Sequence, residues 1–186
     1  MRTSRCLLIG LIVVAFGATN LMNVSPATAA SASEIERSVN SAVKKLAAKY
    51  PWTKELAEKA KGVLVFPSVV KGGFMVGGQY GEGALRKQGK TVAYYNTVAA
   101  SYGLQAGLQR YGYALFFMTD SALQYLDRSD GWELGTGPSV VIVDKGMAGG
   151  ISTTTASSDV YAFFFDQEGL MAGLGLQGTK ITRIKK

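Results

Sequence analysis

The sequence predicts an α+β domain: N-terminal amphipathic helices packed on a large, strongly bent antiparallel β-sheet, barrel-like in its curvature, with one short helix near 120–128. Three observations predict it. Apolar residues recur at helical spacing from Ile35 to Tyr50, the period switches to two at Gly62, and from there glycine is scattered through strand-like runs joined by short turns. Such connections favour antiparallel pairing over crossover helices.

The first helix is bounded by a capping box at Ser33 and Glu36 and by Tyr50-Pro51, because a residue before proline avoids the helical region. Ile35, Val39, Ala42, Val43, Leu46 and Tyr50 form its apolar stripe, with Lys44, Lys45 and Lys49 on or beside the opposite face. A second helix is expected from Thr53 as N-cap to Lys61, stopped by Gly62. It turns Leu56 and Ala60 inward and Lys54, Lys59 and Lys61 outward. A basic amphipathic helix of this kind suits a membrane interface, and it equally suits the lid of an ordinary core.

The strands follow. Val63–Phe66 reads as a short buried strand ended by Pro67, and Gly73–Tyr80 sets a bulky face (Phe74, Val76, Gly78, Tyr80) against a nearly bare one (Gly73, Met75, Gly77, Gln79). Gln88-Gly89 is a turn before Thr91–Asn96. The cleanest alternation runs from Ala100 to Gln109 as a single strand, and Tyr111–Phe117 continues the sheet. Asp120 caps a short helix through Leu123, Leu126 and Asp127, ended by Gly131. Ser139–Val143, Gly150–Thr155, Val160–Phe165, Leu170–Leu176 and Thr179–Ile184 complete the strands, with turns at Asp144-Lys145-Gly146 and Asp166-Gln167-Glu168-Gly169. Glycine within strands supplies the sharp coiling.

Ahead of this domain, residues 1–29 read as a signal peptide: basic Arg2 and Arg5, an apolar run from Leu7 to Ala18, and small residues at Ala27-Thr28-Ala29. The apolar run is shorter than the roughly 18 to 20 residues a membrane anchor needs, and Cys6 precedes it, whereas a lipidated cysteine would follow. Residues 30–186 are then a single exported domain, periplasmic or secreted. That domain has neither cysteine nor histidine, so thiolate nucleophiles, imidazole bases, His/Cys metal cages and disulfides are excluded.

The rest of the chain points away from catalysis. Ala84 to Thr91 loosely matches a phosphate-binding loop but is followed by a strand, and Gly173-x-Gly175-x-x-Gly178 matches a dinucleotide fingerprint with no helix after it. Asp120, Asp130, Glu133, Asp144, Asp166 and Glu168 mostly occupy cap and turn positions, and no G-x-S-x-G occurs. The expectation is a non-enzymatic domain with no cofactor and no metal. Without the leader, 18 basic residues stand against 13 acidic ones, an excess that suits anionic surfaces but forms no dense stripe for nucleic acid.

Three segments carry a resemblance. Lys61-Gly-Val-Leu-Val-Phe-Pro-Ser-Val-Val-Lys-Gly-Gly-Phe-Met-Val-Gly-Gly-Gln-Tyr-Gly-Glu-Gly83 resembles the opening of the SYLF domain, a lipid-binding family also described as actin-binding. Gly131-Trp-Glu-Leu-Gly135 and Phe164-Phe-Asp-Gln-Glu-Gly-Leu-Met-Ala-Gly-Leu-Gly-Leu-Gln-Gly178 are similar to its later signatures. The resemblance implies membrane binding through a basic helical entry, which maps here onto Lys44, Lys45, Lys49, Lys54, Lys59, Lys61 and Lys71 as a patch. Eukaryotic members are associated with phosphoinositide membranes and actin filaments, often beside a second binding module. An exported chain with a leader and no such module meets neither partner, so anionic phospholipid head groups are the expected ones. Two other readings stay open. One is an envelope protein-interaction or structural domain using a β edge or the surface around Tyr111 and Tyr113, and the other is a carrier of a small apolar ligand in a cavity left by Gly77, Gly103 and Gly107.

Overall fold

The computed structural model describes residues 29–74, 76–102, 107–128, 131–143, 158–169 and 178–186. Helix α1 (Ala32–Lys49) begins at a capping box, but one formed by Ser31 and Glu34 instead of Ser33 and Glu36. The Glu34 N–H donates to Ser31 Oγ at 3.3 Å, and the Ser31 N–H donates to Glu34 Oε2 at 2.7 Å. Both pairs have the right spacing, and the second is not used because Glu36 is engaged elsewhere. Its carboxylate accepts from Arg86 Nη2 at 3.3 Å and from the Tyr94 hydroxyl at 3.1 Å.

Helix α2 (Thr53–Lys59) also departs from its expected ends. Trp52 holds the N-cap position, while Thr53 is buried and its hydroxyl donates to Tyr50 O at 2.7 Å. The helix stops before Lys61, whose N–H already donates to Phe117 O at 2.8 Å and so belongs with the sheet.

Strands β1 (Gly62–Phe74), β2 (Val76–Lys87), β3 (Lys90–Tyr102) and β4 (Gly107–Phe117) are long, and they are followed by α3 (Asp120–Leu126). Proline does not end β1 at Phe66. Pro67 sits where the register shifts against both β2 and β4, a bulge in which no ladder donor is needed. The expected strand from Ala100 to Gln109 is in fact the end of β3 and the start of β4, with the connection at 103–106 outside the described residues. Alternation that continues across a hairpin imitates one strand. At α3 the cap is Thr119, whose hydroxyl accepts from the Ala122 N–H at 3.3 Å, and Asp120 lies in the first turn, where a carboxylate suits the helix dipole.

The sheet is completed by β5 (Trp132–Glu133), β6 (Val140–Val143), β7 (Val160–Gly169) and β8 (Lys180–Ile184), in the order β5-β8-β3-β2-β1-β4-β7-β6. It is mixed, not wholly antiparallel, because β6 and β7 run parallel. The sixteen residues between Val143 and Val160 are enough for the return that a parallel pair needs. Asp166 does not start a turn: β7 continues through it, with φ 49° at Asp166 and a register shift opposite Arg110 and Gly112. The expected strands at Gly150–Thr155 and Leu170–Leu176 and the turn at Asp144–Gly146 lie outside the described residues.

Curvature is measured by one ring contact. Trp132 and Phe117 lie on strands five positions apart, yet their ring centroids are 5.7 Å apart. In a flat sheet those strands would be about 24 Å apart. The sheet is therefore a strongly curled half-barrel, with β5 and β6 at its two edges among the described residues. Glycine permits the tight layering where strands cross the bulge: a Cβ on Gly83 would stand 2.2 Å from Val65 O.

Two cores result, one on each side of the sheet. The inner face gathers Phe66, Tyr95, Tyr111, Tyr113, Phe117 and Phe164 beneath Trp132 and α3. On the outer face Val65, Ala84, Ala114, Phe116, Phe163 and Phe165 meet Ile35, Val39, Ala42 and Leu46 of α1 and Leu56 of α2. Each large side chain buried in this way contributes about 1.5–3 kcal/mol, so the α1 stripe is core lid and is not free to insert elsewhere. Lys186 Nζ donates to Ala30 O at 2.8 Å and to Glu82 Oε1 at 2.9 Å, tying the last residue to the start of α1. No helix among the described residues is long and apolar enough to cross a membrane.

Candidate functional site

With its apolar stripe packed on the sheet, α1 shows solvent its lysine face. Lys44, Lys45 and Lys49 are exposed there, and Lys54, Lys59 and Lys61 are exposed on and just after α2. Their surroundings differ. Lys45 forms an ion pair with Asp166, and that hydrogen bond, followed by the carboxylate's charge, raises the ammonium above its ordinary pKa. Lys49 donates to Phe164 O at 3.2 Å and stands 5.3 Å from the Tyr50 ring centroid. Lys59 pairs with Glu55 at 3.1 Å and Lys61 with Asp120 at 3.6 Å. Exposed pairs of this kind are worth about 0–1 kcal/mol, little enough for an arriving phosphate to compete with the carboxylate.

Lys44 and Lys54 have no carboxylate within ion-pair distance among the described residues. Lys71 is apart from the other six: it lies on β1 beyond the bulge, flanked in register by Gln79 and Gln109. The structure thus places five of the seven lysines on the two helices, Lys61 just after them at the entry to β1, and Lys71 on the strands.

Between α1, α2 and the β2–β3 hairpin lies a groove of about 340 Å³. Val43, Leu46, Val63, Val65 and Phe116 give it apolar walls, and Lys54, Glu58, Arg86 and Gln88 form its polar lining. That volume is at the small end of the range for small-molecule sites. Arg86 is fixed by donation from Nη2 to Asn40 Oδ1 at 2.6 Å and to Glu36, while its Nε is buried without a hydrogen-bond partner. Sequence reasoning missed Arg86 because nothing local connects a strand residue with helix residues 46 and 50 positions earlier. Its only signal is its place next to the Gln88-Gly89 turn.

The inner face offers a different chemistry. Tyr111 and Tyr113, expected on an interaction surface, are buried, at 2% and 0% exposure, because odd positions of β4 point inward. The Tyr111 hydroxyl donates to Gln79 Oε1 at 2.8 Å, and Gln79 Nε2 donates to Thr179 Oγ1 at 3.0 Å. The Tyr113 hydroxyl donates to Thr97 Oγ1 at 2.8 Å. Gln79 and Gln109, expected opposite the bulky face, are the inward residues, whereas Val76, Tyr80 and Leu108 point out. The inner side expected to hold an apolar ligand is, among the described residues, filled by these aromatic and amide side chains; Gly103 lies outside them.

Fold and surface together define the class: an α+β domain built on one curled mixed sheet with a basic helical layer outside. Residues 98–186 match the family model described as Ysc84, Las17-binding protein actin regulator, which agrees with the resemblance to the SYLF domain, a family of lipid- and actin-binding domains. The matched span runs from the end of β3 through β8 and contains none of the seven lysines. No curated protein matches the chain.

Proposed function

We propose that this chain is a non-enzymatic domain that binds anionic phospholipid at a membrane surface of the cell envelope, after export and removal of residues 1–29. The observation that carries the reading is the apolar groove lined at its polar side by Lys54 and Arg86, set in a helical layer whose remaining lysines face solvent. A cationic surface of this kind gains up to about 1 kcal/mol per lysine near an anionic leaflet at low salt. The family match over residues 98–186 supports lipid as the partner. Las17 binding and actin regulation, the properties in the family's description, are not extended to an exported domain.

Co-sedimentation of residues 30–186 with vesicles of anionic and of zwitterionic phospholipid, at two salt concentrations, tests it. Binding to the anionic vesicles that weakens with salt is expected. Absence of binding, or equal binding to both vesicle types at both salts, overturns it. A second reading, docking of an envelope protein along a strand, rests on β6, whose outer side has no strand neighbour among the described residues. Capture of one envelope protein without lipid, abolished by a proline in β6, would favour that reading.

A further inference from the structure

Most of the large apolar side chains that the described chain leaves exposed fall in one place. Val70, Val76, Tyr80, Val98 and Leu108 are 39%, 59%, 50%, 43% and 68% exposed, and all belong to the far halves of β1–β4, with Val70 and Tyr80 bordering the first turns of α1 at Glu34, Ile35 and Ser38. Register puts them on one face. Val70 is the cross-strand neighbour of Tyr80, and Tyr80 of Val98. Leu108 stands two residues before Arg110, itself the neighbour of Val70, and Val76 and Tyr80 share a parity on β2. The face they share is the outer, convex one, where the same strands earlier carry Val65, Ala84 and Ala114 beneath the helices. Clustering of this kind marks an interaction surface, since isolated exposed apolar residues are ordinary and contiguous ones are not.

Charge and shape select the occupant. Arg110 and Lys180 are exposed, are the cross-strand neighbours of Val70 and Val98, and form no ion pair among the described residues. The carboxylates nearby are Glu82, held by Lys186 and by the Tyr80 hydroxyl, Glu34, tied to Ser31 at the start of α1, and Glu168 and Glu133, the register neighbours of Arg110 and Lys180. Five half-exposed side chains on a convex surface offer a few hundred Å², well short of the roughly 800 Å² per partner that a stable dimer buries. β1 and β2 are paired on both sides through these ends, and β3 and β4 are paired with β8 as far as Val98 and with β7 from Gln109, so the side chains of the patch stand on strands that already have partners. Protruding apolar groups, a tyrosine and flanking cations fit the boundary between lipid head groups and acyl chains.

We propose that this outer face of the β1–β4 strand ends is the part of the molecule that enters the lipid interface, with Arg110 and Lys180 meeting head-group phosphate while the helical lysines act at longer range. The inference rests on the membrane-binding reading and adds to it a place of insertion.

The test compares three forms of residues 30–186 on anionic phosphatidylglycerol vesicles: the native chain, Val76→Glu with Leu108→Glu, and Lys44→Glu with Lys54→Glu. Both strand positions are exposed, so unchanged thermal unfolding is expected. Leu108→Ser replaces the strand pair if the double variant unfolds early. Tenfold or greater weakening by the strand substitutions, persisting at high salt, supports the inference, as does quenching of a Leu108→Trp reporter by lipids brominated near the head group. Native binding that the strand substitutions leave unchanged, or a reporter that is not quenched, overturns insertion while membrane binding stands. No native binding overturns both. A native dimer without lipid, dissociated by Leu108→Glu, assigns the face to a second copy and also overturns insertion.

Discussion

The hydroxyl of Tyr111 donates to Gln79 Oε1 across two strands, at 2.8 Å and out of contact with solvent. The same glutamine passes the chain of hydrogen bonds to Thr179, so a strand-end residue, β2 and β4 are joined inside the curl. Tyr111→Phe leaves the amide oxygen buried without its donor. A loss of about 1–3 kcal/mol is expected in denaturant unfolding, with the slope of the transition unchanged. A loss below a few tenths of a kcal/mol would show that water replaces the hydroxyl.

Burial pushes the Tyr111 phenol up to about 12, from an ordinary value of 10.0. Burial also raises Tyr113 and, together with its hydrogen bond to Asp127, Tyr95. The folded form then holds these protons at pH values where the unfolded chain has released them. The stabilisation is complete below about pH 10 and is lost as pH rises toward the folded values. Thermal unfolding from pH 8 upward should show a fall beginning near 10, reduced in Tyr111→Phe relative to its own neutral-pH stability.

The two candidate capping serines give a direct comparison. Ser31→Ala removes the acceptor of the Glu34 N–H and is expected to cost about 1 kcal/mol, whereas Ser33→Ala, on an exposed helical position, should leave thermal stability nearly unchanged. Equal effects would contradict the observed helix start.

Gly83→Ala tests the close approach at the bulge. Its new methyl would press on the Val65 carbonyl and on the Phe66 ring, neither of which can withdraw without disturbing the β1–β2 ladder. Destabilisation of about 1–3 kcal/mol or more is expected, against almost none for Gly78→Ala, whose nearest neighbour would be 3.5 Å away.

On vesicles, Lys44→Glu with Lys54→Glu should weaken binding by roughly 10- to 30-fold at low salt, if each lysine contributes about 1 kcal/mol. The loss should shrink as salt rises, because these charges are screened within about 8–10 Å. Lys59→Ala should have a smaller effect, since the ammonium is already shared with Glu55.

Periodicity made the helical layer legible in the sequence. Ile35, Val39, Ala42 and Leu46 are buried as their spacing requires, and Lys44, Lys45 and Lys49 on the rest of α1 face solvent. The sheet was legible in kind but not in its strand limits. Pro67 and Asp166 are ordinarily breakers, yet each sits in a bulge that absorbs it, and bulges depend on the partner strand, which local sequence does not show. The direction of each face was hidden for a related reason. Tyr80 and Val76 are the bulkier residues of β2, but the curl reserves the inside for Gln79 because Tyr111 and Thr179 wait there to satisfy its amide. Arg86 escaped notice because its partners Glu36 and Asn40 come from a helix distant in sequence.

The clasp between Lys186 and Ala30 has a consequence for how the chain is wired. Because the Lys186 ammonium reaches the carbonyl that precedes α1, a short glycine linker could join residue 186 to residue 30 in a polypeptide made of residues 30–186, and the exposed Gln88-Gly89 turn could be opened instead. Such a rewired polypeptide would begin with β3 and finish with β2, yet keep every strand neighbour it now has. The architecture is thus a property of its contacts in space, indifferent to the order in which the strands follow one another.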